Sequence, residues 1–71
     1  MKLVVNGTES NLAEGLTVNQ LLIAQEVKMP EMVSVELNGQ ILKRPEFEST
    51  TLNEGDKVEF LYFMGGGNVS N

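Results

Sequence analysis

Few side chains in this 71-residue chain could do chemistry by themselves. It contains no cysteine and no histidine. A thiolate nucleophile, a disulfide, the commonest metal ligand and the usual general base are therefore all missing. Glu46 and Glu48 flank Phe47 in a way that could mimic a carboxylate pair. Without a histidine or a metal-binding pattern beside them, acid–base catalysis is not expected of them. What remains is the backbone. Val58-Glu59-Phe60-Leu61-Tyr62-Phe63-Met64 reads as a β-strand of β-branched, aromatic and long apolar residues. It runs directly into Gly65-Gly66-Gly67, and Asn68 to Asn71 follow. Glycine holds strand and helix poorly because it loses the most backbone freedom on ordering. A rigid strand thus passes into a thin, flexible tail, and the function is placed there.

The elements that must position this strand are legible upstream. Lys2-Leu3-Val4-Val5 is strand-like, Asn6-Gly7 is the pair preferred by a two-residue type I′ turn, and Thr8 to Leu12 would return. Glu14-Gly15 ends that hairpin. Thr17-Val18-Asn19-Gln20 has the form of a capping box. A helix of roughly ten residues should follow, with Val18, Leu21, Leu22 and Gln25 on one face, ending near Val27 ahead of Pro30. Val33-Ser34-Val35-Glu36-Leu37 alternates as a half-buried strand does, Asn38-Gly39 offers a second hairpin turn, and Gln40-Ile41-Leu42 is a short return. Lys43-Arg44-Pro45 breaks the strand. Glu46 to Thr51 is a connection with Phe47 dropping into the core, and Leu52 to Asp56 is a turn. The order β-β-α-β-β-β predicts one mixed sheet of about five strands with a helix on one face, the last strand lying parallel to the first near the middle. That is a ubiquitin-like β-grasp roll of the α+β class. The expected division is a body over residues 1–64 and a tail over residues 65–71.

Composition narrows the function further. One domain of this length buries only about 60% of its unfolded surface, so the core is small. Ten acidic residues against five basic give a net charge of −5. That balance argues against nucleic acid, which needs a basic patch. It suits solubility, or steering towards a basic partner. No apolar run approaches a membrane span, and the first residues do not read as a signal peptide, so a soluble, cytoplasmic protein is expected. Asn6-Gly7-Thr8 and Asn68-Val69-Ser70 match the N-glycosylation pattern by chance. Lys43-Arg44 reads as a solvated basic spot, with contact to an acidic partner surface as the alternative.

Thr17-Val18-Asn19-Gln20-Leu21-Leu22, Val35-Glu36-Leu37-Asn38-Gly39, Glu54-Gly55-Asp56-Lys57-Val58-Glu59 and Phe63-Met64-Gly65-Gly66-Gly67 together resemble the ThiS family, the small sulfur carriers of thiamine biosynthesis. The resemblance spans essentially residues 1–67. It implies a protein that catalyses nothing and binds no cofactor. A separate E1-like enzyme would adenylate its terminal glycine with ATP. A desulfurase would supply the sulfur that replaces AMP, and the resulting thiocarboxylate would pass to thiazole synthase. On the motif match the modified residue is Gly67, with Gly65 and Gly66 entering the partner's active site. The family usually ends at its last glycine, whereas Asn68 to Asn71 here place the Gly67 carboxylate in a peptide bond. Trimming by a protease or a non-native origin of those residues is the expected explanation. The alternatives in the same chemistry are the small subunit of molybdopterin synthase and a carrier delivering sulfur to another pathway. The alternative of another class is a β-grasp interaction module or protein modifier.

The stalk suits such a role. Ordering three glycines costs roughly 3–6 kcal/mol on docking, so the folded body must supply the affinity. Side chains alternate along the last strand. Val58, Phe60 and Tyr62 face one way and Glu59, Leu61 and Phe63 the other. With Val58 and Phe60 in the core beside Leu3, Val5, Leu21, Leu22, Val35 and Leu37, the residues left for partner docking are Leu61, Phe63 and Met64.

Overall fold

The computed structural model describes residues 1–62. The chain forms β1 (Lys2–Val5), β2 (Thr8–Asn11), α1 (Val18–Ala24), β3 (Val33–Leu37), β4 (Gln40–Ile41) and β5 (Lys57–Tyr62). The five strands make one sheet in the order β2-β1-β5-β3-β4. As expected, β5 is central. It runs parallel to β1, with Val4 opposite Lys57 and Val5 opposite Val58, and antiparallel to β3 from Val33–Tyr62 to Leu37–Val58.

Both hairpins close as their asparagine–glycine pairs require. Asn6 and Gly7 have φ of 51° and 82°, and Asn38 and Gly39 have 51° and 88°. Two successive left-handed residues define the type I′ turn, whose twist matches that of the flanking strands.

Helix α1 begins on the predicted capping box. The Thr17 hydroxyl accepts from the Gln20 amide at 3.2 Å, and the Gln20 side chain accepts from the Thr17 amide at 3.0 Å. Its end differs from the expectation. The helix stops at Ala24, well before Val27, and the proline is not the cause. Glu26 adopts φ 54°, its amide donates to the Ile23 carbonyl at 3.0 Å, and the Val27 amide donates to the Leu22 carbonyl at 3.0 Å. This is a Schellman termination with glutamate where glycine is usual. Gln25 is consequently the exposed C-cap and not part of the buried face.

The core lies on one side of the sheet. Leu3 and Val5 of β1, Val33 and Val35 of β3, and Val58 and Phe60 of β5 are buried together with Val18, Leu21 and Leu22 of α1. Leu37, expected among them, is only half-buried at the margin. The 44–51 connection is more ordered than a plain loop. Arg44–Phe47 is a 3-10 turn whose start is capped by Glu46, which accepts from the Lys43 amide at 2.8 Å. Phe47 is buried as expected, and Leu52, read as part of a turn, is also in the core. The Leu52 amide donates to the Leu16 carbonyl at 2.8 Å and the Val18 amide to the Thr50 carbonyl at 3.0 Å, which ties this connection to the start of α1. Among the described residues no helix is long and apolar enough to cross a membrane.

Candidate functional site

The C-terminal segment follows β5 in sequence, so what holds β5 fixes where that segment starts. Because the Asn38 amide donates to the Lys57 carbonyl at 2.8 Å, residues 57, 59 and 61 turn their backbone groups towards β3. Residues 58, 60 and 62 turn theirs towards β1. On that side the Asn6 amide donates to the Val58 carbonyl at 2.9 Å, and there β1 has already ended at Val5. The side chain of Asn6 continues where the strand stops, its Oδ1 accepting the Phe60 amide at 2.9 Å. Asn38 does the same at the other end of β5. Its Oδ1 accepts the Lys57 amide at 2.9 Å, and its Nδ2 donates to Asp56 Oδ1 at 3.0 Å. Each turn asparagine therefore serves twice, tolerating a left-handed backbone and stapling the central strand with its carboxamide.

A third staple corrects the expectation for Arg44. The residue is exposed, as a solvated charge would be, but it is not free. Its guanidinium donates to the carbonyls of Pro30 and Val33 and lies 5.1 Å from the centre of the Phe47 ring. β4 ends at Ile41, so the Val33 carbonyl at the start of β3 has no strand beside it, and the planar fork of Arg44 takes that place.

The predicted site residues divide between the described body and the segment beyond it. Leu61 is half-buried on the face of the sheet away from α1, opposite Ser34. Phe63, Met64, Gly65, Gly66 and Gly67 lie outside the described residues. On Leu61's face, Glu36 stands directly across from Glu59 on one side and from the exposed Ile41 on the other. Tyr62 sits on the opposite face beyond the core and is 51% exposed. With Asn6, Phe60 and the turn at residues 25–28 it borders an open groove beside the end of β5. Among the described residues there is no group of three or more acidic side chains placed to hold a metal. What this arrangement can do is hold a strand end rigidly and present the chain that follows it. The residues that reasoning from sequence missed are the carboxamides of Asn6 and Asn38, and Arg44. For both asparagines the sequence carries the turn signal, and nothing local marks the carboxamide's second use.

A model of the ThiS family matches residues 2–67. The chain belongs to the ThiS family. The crystal structure of the thiamine biosynthesis protein ThiS from Geobacter metallireducens is 55% identical, covers 94% of this chain and all of that one, and superposes with a TM-score of 0.87. The sheet order and single helix described above are thus those of a ThiS protein, a ubiquitin-like β-grasp. Two longer relatives are named thiazole synthase. The one from Paramagnetospirillum magneticum is 40% identical over 67 residues, and the one from Magnetococcus marinus is 36% identical over 67 residues. Each match covers 94% of this chain and 20% of the relative, so the chain spans about a fifth of their length.

Proposed function

We propose that this ThiS-family chain is a sulfur carrier of thiamine biosynthesis, a protein substrate for partner enzymes and not a catalyst. The observation that carries the proposal is the extent of the family match, which runs through the body and takes in all three glycines up to Gly67. In this reading hydrolysis of the Gly67–Asn68 peptide bond by a protease exposes the Gly67 carboxylate. An E1-like enzyme joins that carboxylate to the AMP moiety of ATP, releasing pyrophosphate. The outer sulfur of a desulfurase persulfide then displaces AMP to give an acyl disulfide. A second thiol reduces the S–S bond, forming a disulfide with the thiol that carried the persulfide and leaving a thiocarboxylate. Gly65 and Gly66 admit the chain end to narrow active sites because no Cβ stands in the way. Leu61, Phe63 and Met64 supply docking contacts beside the tail. Delivery to thiazole synthase is favoured because proteins of that name contain a stretch similar to nearly all of this chain.

The test is intact-mass analysis of the protein recovered from its own cells, then of a version ending at Gly67 incubated with ATP, a sulfur source and the activating enzyme. Oxygen replaced by sulfur at the terminal carboxylate is the expected product. Retention of Asn68 to Asn71 in every molecule, or no adenylate and no thiocarboxylate on the shortened form, overturns the reading.

A further inference from the structure

Among the described residues the central strand of the sheet is not fully paired. Residues 58, 60 and 62 direct their backbone groups to the β1 side, but β1 ends at Val5, opposite Val58. The Asn6 carboxamide takes the Phe60 amide, and there the pairing ends. The Phe60 carbonyl and the Tyr62 amide face the same way, and no described residue bonds either of them. They stand at the spacing of a strand edge. The groove bordered by Asn6, Tyr62 and residues 25–28 opens onto this edge, with half-buried Val27 and buried Phe60 as its apolar elements and Lys28 among the residues that line it.

We propose that this short edge takes an extended strand of the enzyme that receives the tail, which pairs with the Phe60 carbonyl and the Tyr62 amide and places an apolar side chain against Val27 and Tyr62. This deepens the carrier reading and rests on it. The occupant follows from three features. An unpaired donor and acceptor on one strand edge are complemented by another strand, the mode of β-augmentation. Tyr62 is followed directly in sequence by residues 63–67, so an enzyme that engages the glycines comes close to this edge. The chain carries a net charge of −5, which disfavours a second copy and favours a partner segment bearing lysine or arginine. The chain's own residues 68–71 would have to fold back through three glycines, whose ordering the single apolar Val69 does little to offset.

The test is amide hydrogen exchange at Tyr62, followed by NMR on the full-length protein alone and saturated with thiazole synthase or with the activating enzyme. The expected result is unprotected exchange in the free protein and slowing on the order of a hundredfold in at least one complex. Tyr62→Pro removes the donor while sparing β3, because residue 62 does not bond that strand. It should weaken binding about tenfold relative to Tyr62→Val, the expectation for one main-chain hydrogen bond. A Tyr62 amide that stays unprotected in both saturated complexes overturns the proposal. So does protection already present in the free protein, whether abolished by deleting residues 68–71, which marks the tail as occupant, or dependent on concentration, which marks a second copy. Thiocarboxylate formation measured in parallel separates the two readings. Normal sulfur loading with an unprotected Tyr62 removes the edge inference alone, whereas failure of loading removes the carrier reading and this one with it.

Discussion

Asn6 offers the sharpest test of how the body holds its central strand. Its two contributions can be removed separately. Asn6→Gly keeps the left-handed turn at φ 51° but deletes the carboxamide that accepts the Phe60 amide at 2.9 Å. The lost bond contributes about 0.5–1.5 kcal/mol, and leaving a half-buried donor unpaired raises the cost to about 1–2 kcal/mol. Asn6→Ala loses the same bond and also forces a Cβ into the left-handed region, adding about 1 kcal/mol. Asn6→Asp keeps an acceptor and tolerates the turn, so it should stay close to the parent. Domains of this size shift by about 4–8 °C in Tm per kcal/mol. The expected order is therefore parent and Asp together, Gly lower by roughly 4–16 °C, and Ala lower again, read by thermal and urea unfolding followed by circular dichroism. Amide exchange at Phe60 should accelerate in the Gly and Ala variants and not in Asp. If Gly unfolds with the parent while Asp falls, the carboxamide does not hold β5 and the stapling account is wrong.

Three further outcomes follow from the same geometry. Glu26→Gly should stabilise the protein by about 1 kcal/mol, because Glu26 occupies the left-handed C′ position of α1 with its acidic side chain at the negative end of the helix; Glu26→Ala gaining as much in urea unfolding would show that backbone conformation is not the cause. Arg44→Lys should cost about 1–2 kcal/mol, since an ammonium cannot serve the Pro30 and Val33 carbonyls with a planar fork while stacking on Phe47, and the midpoint of urea unfolding measures it. Leu61→Asp should leave Tm within a few degrees yet weaken binding to the activating enzyme about tenfold or more in calorimetry, because Leu61 is half-buried on the face away from α1 and tolerates a polar group better than the core does.

The framework of the fold could be read from sequence because its signals are local and each has one physical meaning. Asn6-Gly7 and Asn38-Gly39 fix two hairpins through φ, and Thr17 with Gln20 fixes a helix start through a reciprocal pair of bonds. The alternation along β3 and β5 then selects a single buried face. Less was legible where a residue acts across the fold. Glu26 ends α1 in a position where glycine would have announced the stop. Arg44 looked like surface charge because its acceptors lie 14 and 11 residues earlier in the chain. Leu52 stands in a turn-like stretch, and it is buried where its amide bonds the Leu16 carbonyl, 36 residues earlier in the chain. As for the site, the placement of Leu61 on the face away from α1 was readable from alternation, while the unpaired edge at Phe60 and Tyr62 was not. It arises because β1 ends opposite Val58 and leaves the last four residues of β5 without a strand on that side, a mismatch that only the register reveals.

The central placement of β5 has a mechanical consequence. An enzyme that grips the glycine end and tugs does not peel a strand from the margin of the sheet. The load enters along β3, which pairs β5 as far as Tyr62, and passes in shear to the Asn6 carboxamide at Phe60, to β1 at Val58 and Lys57, and to the Asn38 carboxamide at the far end. The body should resist traction applied from its C-terminal side better than traction applied through β2 or β4 at the margins, so a handle can be pulled repeatedly without unravelling what it is attached to.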